Sequence, residues 1–187
     1  MATLRDIDMR TKPTLTGERV ILRPVDVGDL AGLVDLVADA EANRLTGTHA
    51  TFDEARLRDW YATRGEQTDR LDLAIVERAG GEYAGEVVLN DLDRGNRSIS
   101  FRIALRPGFT DRGLGSEATR LIVEYAFETL GLHRIALEVY AFNPRARHVY
   151  ERAGFVYEGT RRAALLWDGD WIDAVEMAIV ATDPRPP

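Results

Sequence analysis

The stretch that decides the fold reads Arg106-Pro-Gly-Phe-Thr-Asp-Arg-Gly-Leu-Gly-Ser-Glu-Ala118. It follows a segment with an apolar residue at every second position, Ser98–Leu105, which predicts a strand. It precedes an amphipathic helical pattern that ends at Gly131. A strand, a glycine-bearing turn and a helix start bring backbone N–H groups and the positive end of a helix dipole to one point. Gly113 and Gly115 let the backbone approach an anion that a side chain would block. The stretch therefore predicts a site for a phosphate or a pyrophosphate.

Two glycines between a strand and a helix are also compatible with nothing more than a tight connection. The dinucleotide fingerprint Gly-x-Gly-x-x-Gly is incomplete, because Ala118 would have to fill its third position and no acidic residue ends the following strand at the usual distance. The phosphate-loop pattern with Gly-Lys-Ser/Thr is absent as well. A second segment is needed to decide between these interpretations.

That second segment reads Leu137-Glu-Val-Tyr-Ala-Phe-Asn-Pro-Arg-Ala-Arg-His-Val-Tyr-Glu-Arg-Ala-Gly-Phe155. With it, the chain resembles the GNAT superfamily of acyl-CoA-dependent N-acetyltransferases, most closely the Rim-type branch. Members carry an Arg/Gln-x-x-Gly-x-Gly/Ala turn, then a strand, then an Asn-x-x-Ala-x-x-x-Tyr-x-Lys/Arg-x-Gly-Phe helix. The turn fits at Gly113 and Gly115, but Thr110 holds its first position, where the family has Arg or Gln. The helix pattern is filled in full by Asn143, Ala146, Tyr150, Arg152, Gly154 and Phe155.

The resemblance implies an enzyme that moves an acetyl group from acetyl-CoA to a primary amine by direct attack in a ternary complex. The amine is either a protein N-terminus or a small amine. Two alternatives stay open: a regulatory domain that binds acetyl-CoA without turnover, and an acetyltransferase for small molecules such as antibiotics or polyamines. The resemblance also implies a set of cofactor-binding residues in and around the turn: Ile103, Leu105, Asp111, Arg112, Gly113, Leu114, Gly115, Ser116, Asn143 and Tyr150.

Tyr150 is the candidate acid for the leaving thiolate. A thiol has a pKa near 8.5 and a tyrosine one near 10, so a tyrosine hydroxyl suits this protonation. Asn143 is a good N-cap and Pro144 suits the first helical position, so the start of the helix is well defined. Tyr150 follows seven residues after Asn143, two turns along nearly the same face. A tyrosine at this spacing also suits core packing, and the role in catalysis rests on the resemblance.

Glu138 is the candidate base for the attacking ammonium. It lies in a predicted strand, on the face opposite Leu137 and Val139, and a charged residue there needs water, a partner or a substrate. An ion pair with an arginine such as Arg102 is the equally weighted alternative. Glu86 and Glu117 are the fallback carboxylates, although Glu117 would also stabilise a helix dipole.

Histidines and metals contribute less to the prediction. His49 lies in a loop that covers the acceptor site in the resembling family, which makes it a candidate substrate contact. No pair of histidines has metal-ligand spacing, so no metal is expected.

The composition limits the classes of molecule that this protein is expected to bind. With 24 basic and 31 acidic residues the formal net charge is −7, which argues against nucleic acid and favours a cationic substrate, although solubility would explain it too. No apolar run approaches the roughly 18 residues that span a bilayer, and no signal peptide is evident. The chain has no cysteine, so a cytoplasmic location is expected. The expected partners are an acyl-CoA and an amine acceptor, without nucleic acid or membrane, and a homodimer is compatible with this interpretation.

The segments follow the order β-αα-βββ-α-β-α-ββ. This order predicts an α/β (α+β) fold with a single mixed, mostly antiparallel central sheet of about seven strands flanked by helices on both faces. Within it we expect one helix over 26–42 and a second that opens at a capping box, Thr51–Glu54. Residues 1–14 are expected to form a loose arm, 15–181 the acetyltransferase domain, and 182–187 a disordered tail.

Overall fold

The computed structural model describes residues 6–185, and in them one sheet of eight strands carries helices on both faces. The predicted fold class is confirmed. The strands are β1 (Leu15–Thr16), β2 (Val20–Pro24), β3 (Leu71–Glu77), β4 (Tyr83–Asp93), β5 (Ser98–Leu105), β6 (Arg134–Tyr140), β7 (Val156–Trp167) and β8 (Asp170–Val180). The helices are α1 (Leu30–Ala38), α2 (Ala40–Thr46), α3 (Glu54–Arg64), α4 (Leu114–Glu128) and α5 (Pro144–Arg152). The expected first strand is interrupted, and its two halves form β1 and β2.

The strand order is β1-β2-β3-β4-β5-β6-β8-β7. Every neighbouring pair is antiparallel except β5 and β6, which are joined through α4 and run parallel. A parallel pair needs a crossover of a dozen or more residues, and the segment that contains the glycine turn and α4 supplies it.

The two faces of the sheet are covered to different extents. On one face, α4 and α5 pack over most of the sheet in a large core that includes Ile122, Phe101 and Met177. On the other face, α1 and α3 cover only the region around β2, β3 and β4, in a smaller core that includes Leu33 and Tyr61. On the second face of β5 and β6, α2 comes close to both strands, and side chains such as Arg102 and Glu138 remain exposed there.

Aspartates determine where the N-terminal helices begin. Asp26 accepts a hydrogen bond from the amide of Gly28 and forms a capping box with Asp29 in a 3-10 turn, Val27–Asp29, ahead of α1. The expected helix over 26–42 is broken at Asp39, whose extended backbone ends α1 and whose carboxylate caps α2. The expected capping box at Thr51 is wrong, because Asp53 is the N-cap of α3 and accepts from the amide of Arg56 at 2.8 Å.

The segment before β1 is attached to the domain wherever the structure describes it. Ile7 and Met9 are buried in the large core, and the Lys12 ammonium donates to the carbonyls of Met9 and Arg70, both at 2.8 Å. The expected loose arm is therefore wrong for residues 6–14, because the sheet leaves an apolar surface that these side chains cover. Residues 1–5 of that arm lie outside the described residues.

The expected disordered tail is attached as far as it is described. Arg185 forms an ion pair with Glu128 at 2.7 Å and lies over the Phe127 ring. Residues 186–187 lie outside the described residues.

Candidate active site

A wedge-shaped opening in the sheet forms the candidate site. β5 and β6 pair at only three positions, from Ser98 with Arg134 to Ser100 with Ala136. Beyond Ser100 each strand continues without pairing with the other, and the edge of β5 that faces β6 is left free. A cleft of about 1460 Å³ lies there and reaches from α2 and α3 to the start of α4. Because an open strand edge presents unsatisfied N–H and C=O groups, it suits a ligand with amide groups of its own.

The glycine turn meets the cleft at the start of α4. Gly113 is the N-cap residue with φ of 77°, a left-handed conformation that favours glycine, and no side chain caps the helix. The first intrahelical bond runs from the amide of Glu117 to the carbonyl of Gly113 at 3.1 Å. The amides of Leu114, Gly115 and Ser116 therefore have no partner within the helix and suit an anion.

Most of the predicted cofactor-binding residues line this cleft. Those that do are Ile103, Leu105, Asp111, Gly113, Gly115, Ser116, Asn143 and Tyr150. Two do not bring their side chains to it. The Leu114 side chain is buried in the core, and the Arg112 guanidinium lies on Glu77 instead. Both residues flank Gly113, and their side chains lie against other parts of the protein.

The turn is fixed to α5 across the mouth of the cleft. Asp111, which has φ of 59°, pairs with Arg145 at 2.9 Å. Asn143 caps α5 and accepts from the amide of Ala146 at 3.1 Å. The glycine turn and the segment that begins α5 are thus brought side by side.

Tyr150 lies two turns into α5, with its ring in the core. It packs edge to face on Phe101 with ring centroids 5.9 Å apart, and it also lines the cleft. Burial raises the pKa of its hydroxyl to about 12. The hydroxyl therefore stays protonated over the working pH range, as a proton donor must.

Glu138 lies on the partly open face of β6 and lines the cleft, and its ion pair is with Arg161 at 2.6 Å. The sequence interpretation had offered Arg102 as that partner, and this is wrong: Arg161 comes from β7 and crosses β8 to reach Glu138. The Tyr140 hydroxyl donates to the other carboxylate oxygen at 3.0 Å. Glu138 is therefore held by a cation and a hydroxyl.

Glu86 lies in the same cleft but in a different environment. The Tyr61 hydroxyl donates to it at 2.8 Å and lies 3.0 Å from the Tyr83 hydroxyl. Burial raises the pKa of Glu86 and outweighs the hydrogen bond from Tyr61, which acts in the opposite direction. Burial also raises the pKa values of both tyrosines. The sequence interpretation missed Tyr61; its spacing of four from the buried Leu57 on α3 was the available signal.

Glu117, the other fallback carboxylate, serves the fold. It accepts hydrogen bonds from three consecutive amides, those of Glu18, Arg19 and Val20, at 2.8, 2.8 and 2.9 Å. Burial works against its charged form, but the three amides outweigh burial and lower its pKa. A carboxylate in this state is a poor base, and it fixes the turn between β1 and β2 to α4.

His49 does not line the cleft. Its ring stacks on Trp167, with centroids 4.7 Å apart, and so joins the loop after α2 to the end of β7. In residues 6–185, no group of three or more His, Asp or Glu side chains could hold a metal ion. Over the same residues, no helix is both long enough and apolar enough to cross a bilayer.

Comparison with known proteins finds similarity to acetyltransferases. The family profile "Acetyltransferase (GNAT) domain" matches residues 19–156. A spermidine N(1)-acetyltransferase of Escherichia coli K12 is 29% identical over 160 residues, which cover 86% of this chain and 85% of that protein. The "Probable N-acetyltransferase YjcK" of Bacillus subtilis 168 is 30% identical over 182 residues, which cover 90% and 98%.

Solved structures show the same fold. The spermidine N-acetyltransferase of Vibrio cholerae, solved with CoA and spermine, superposes with a TM-score of 0.83 at 24% identity, and the match covers 89% of this chain and 98% of that one.

Proposed function

The chain belongs to the GNAT acetyltransferase family and is an acetyl-CoA-dependent N-acetyltransferase of amines, and we propose that it transfers the acetyl group by direct attack inside the β5–β6 cleft. The amine nitrogen forms the new C–N bond as the thioester C–S bond breaks. The ammonium loses one proton to a carboxylate of the cleft before it attacks. The leaving thiolate takes a proton from a tyrosine, and the second proton that the nitrogen releases as the amide forms restores that tyrosine. No acyl-enzyme is needed, and the chain has no cysteine to form one.

One observation carries this proposal. The neighbouring strands β5 and β6 diverge beside the start of α4, where no side chain caps the helix. The amides of the turn face one end of the cleft, and the free edge of β5 runs from there toward the carboxylates. A phosphate-bearing, amide-containing thioester fits this arrangement, with its phosphates at Gly113–Ser116 and its chain along residues 101–105. Acetyl-CoA has this chemistry.

Tyr150 supplies the proton to the leaving sulfur. Its burial keeps the hydroxyl neutral, and the residue lines the cleft in which the thioester would lie. A proton donor aligned in this way contributes about 10²–10⁴-fold to the rate.

For the base, we propose Glu86, with Glu138 as the second carboxylate of the cleft. A base works best when its pKa lies near the working pH, and burial moves Glu86 in that direction. The carboxylate of Glu138 is already occupied by the Arg161 guanidinium and by the hydroxyl of Tyr140. We assign to Glu138 the attraction and orientation of the incoming ammonium. The sequence had suggested Glu138 as the base and Glu86 as the fallback, and this proposal exchanges the two.

The acceptor is a primary amine, and a polyamine is the second candidate. The names of two relatives specify spermidine as their substrate, and acidic side chains outnumber arginines along the cleft. An acidic cleft raises the local concentration of a cationic acceptor.

The proposal also covers the location of the enzyme, its oligomeric state and the extent of its domain. The net charge of −7 supports an enzyme that does not act on nucleic acid. The absence of cysteine supports a cytoplasmic location, and the lack of an apolar run of roughly 18 residues supports an enzyme that does not act on membranes. Exposed Val156 and Tyr157 on the edge strand β7 support a homodimer. We propose that the domain includes Ile7 and Met9, which belong to its core, and extends to 181.

Isothermal titration with acetyl-CoA, followed by CoA-release assays on a panel of amines, tests the proposal. We expect acetyl-CoA to bind, to raise the melting temperature, and to be consumed only when an amine is present. Failure of the native chain to bind acetyl-CoA would contradict it, and so would a rate of CoA release that no amine changes.

A further inference from the structure

The arginines that line the cleft differ in whether an acidic side chain pairs with them. Five arginines line it, and four of them are held by an acidic partner: Arg70 by Asp72, Arg134 by Glu158, Arg145 by Asp111, and Arg161 by Glu138. The fifth, Arg102, is exposed, and its guanidinium has neither an ion pair nor a hydrogen bond within the described part of the chain. A guanidinium has five N–H donors and is always charged, so Arg102 presents an unused anion-binding group.

Arg102 lies beside the carboxylate that we propose as the base. In the antiparallel β4–β5 pair, Val88 lies opposite Arg102 and Glu86 lies opposite Ala104. Glu86 and Arg102 are therefore diagonal neighbours on one face of the sheet, with backbones roughly 7–8 Å apart. They do not form an ion pair with each other, since the Glu86 carboxylate is bonded to Tyr61.

A carboxylate and a guanidinium that lie side by side without pairing can bind the two opposite charges of a zwitterion. An ammonium group placed at Glu86 would have its own carboxylate within reach of Arg102 if one carbon separates the two groups. Arg–carboxylate pairing is often bidentate, which orients the ligand as well as attracting it. The orientation is useful here, because the amine must face the thioester for attack.

From this arrangement we propose that the acceptor is an amine that carries a carboxylate next to it, an α-amino acid, with its ammonium group at Glu86 and its carboxylate at Arg102. This inference rests on the proposed function, in which Glu86 faces the attacking amine. It also separates the chain from a polyamine acetyltransferase. A polyamine has only positive charges, so the unpaired guanidinium of Arg102 would repel it. The same guanidinium would attract the carboxylate of an α-amino acid.

The experiment compares amines that carry a carboxylate next to the amine with amines that do not. CoA release is measured with phenylalanine, with phenylalanine amide, with phenethylamine and with spermidine, at saturating acetyl-CoA. The same is done with a dipeptide, whose amine lies next to a peptide bond. We expect kcat/KM for the free amino acid to exceed that for its amide by at least tenfold, with the difference mainly in KM. Equal values for the acid and the amide would overturn the inference, as would a preference for spermidine or for the dipeptide.

Two variants of Arg102 sharpen this test. Arg102→Gln should reduce the acid-to-amide preference to near unity while the rate with the amide changes little. Arg102→Glu should invert it and raise kcat/KM for 1,4-diaminobutane. The matched control is Arg58→Gln, which removes one charge from an exposed ion pair on α3, outside the cleft, and should leave the preference intact. An acid-to-amide preference that survives in both Arg102 variants would overturn the inference.

The outcomes also distinguish this inference from the function on which it rests. If every amine fails but acetyl-CoA binds, or if acetyl-CoA does not bind, the acetyltransferase proposal fails. If the amides or the polyamine are acetylated efficiently, that proposal stands and only the role of Arg102 is lost. Circular dichroism of each variant shows whether a lost preference reflects a lost fold.

Discussion

The hydroxyl of Tyr61 donates a 2.8 Å hydrogen bond to the carboxylate of Glu86, and so joins α3 to β4 at the acceptor end of the cleft. The tyrosine is buried among apolar side chains of α1 and α3, and the carboxylate is partly buried beneath it. The same burial that positions Glu86 also opposes its charge. Function and stability therefore make opposite demands on this residue.

Glu86→Gln should stabilise the fold at neutral pH. Burial raises the pKa of Glu86 in the folded state above its unfolded value, so its contribution to stability is complete below the unfolded pKa. That contribution is lost as the pH rises through the folded pKa. The neutral amide avoids this loss, and we expect a higher melting temperature than the native protein at pH 7–8 and a similar one near pH 4. A calorimetric series over this range measures it, and a lower melting temperature at pH 8 would contradict the expectation.

The same substitution should slow catalysis near neutral pH. Without a proton acceptor, kcat/KM should fall by about 10²–10⁴-fold and recover in part at alkaline pH, where free amine is abundant. Glu138→Gln is the comparison: we expect it to raise KM for the amine and to keep the shape of the pH profile. Profiles of both variants, measured from pH 6 to 10, decide which carboxylate is the base. The roles are exchanged if Glu138→Gln shows the alkaline recovery instead.

Tyr150→Phe tests the proton donor. The ring and its contact with Phe101 are kept, and only the hydroxyl is removed. We expect kcat to fall by about 10²–10⁴-fold with little change in acetyl-CoA affinity. Pre-steady-state measurement of CoA release shows whether chemistry limits the native rate. An unchanged chemical step would assign Tyr150 to the core alone.

Valine at both Gly113 and Gly115 should abolish acetyl-CoA binding. Gly113 has φ of 77°, where a β-branched residue is strained by at least about 1–2 kcal/mol, and a Cβ at Gly115 would lie 3.3 Å from Leu105 Cδ1. The expected result is a folded protein whose melting temperature acetyl-CoA no longer raises.

Gly81→Val is the control for backbone strain in the glycine variants. Gly81 has φ of 71° in the β3–β4 hairpin, and no atom lies near the added Cβ. This variant should lose stability from the strain and keep its response to acetyl-CoA. If the doubly substituted turn still binds, the phosphates lie elsewhere.

Glu117→Gln should destabilise the fold without removing activity at low temperature. Its carboxylate accepts three amide hydrogen bonds, and bonds to a charged group contribute about 1.5–3 kcal/mol. Because its folded pKa is lowered, its contribution is present above the unfolded pKa and lost as the pH falls through the folded one.

The melting temperature should therefore drop at pH 7, and the difference from the native protein should narrow below about pH 4. Glu124→Gln, an exposed position on the same helix, should change it little. A difference that does not depend on pH would contradict the expected role of the charge.

The sequence by itself determined most of the order of the elements, the glycine turn and the start of α5. These features are local: alternating apolar residues predict the strands, Gly113 permits a left-handed turn, and Asn143 with Pro144 starts a helix. The association of the turn with the Tyr150 helix could be inferred from the family resemblance, and the structure places both at one cleft.

Tertiary structure alone decided which carboxylate is buried and which is paired. Glu86 and Glu138 both occupy polar positions in apolar strands, and nothing within either strand distinguishes them. Tyr61 arrives from α3 and Arg161 from β7, at sequence separations of 25 and 23 residues, and these contacts give one glutamate a dry environment and the other a cation. Desolvation and ion pairing depend on what folds over a side chain, and that is a property of the assembled sheet and helices.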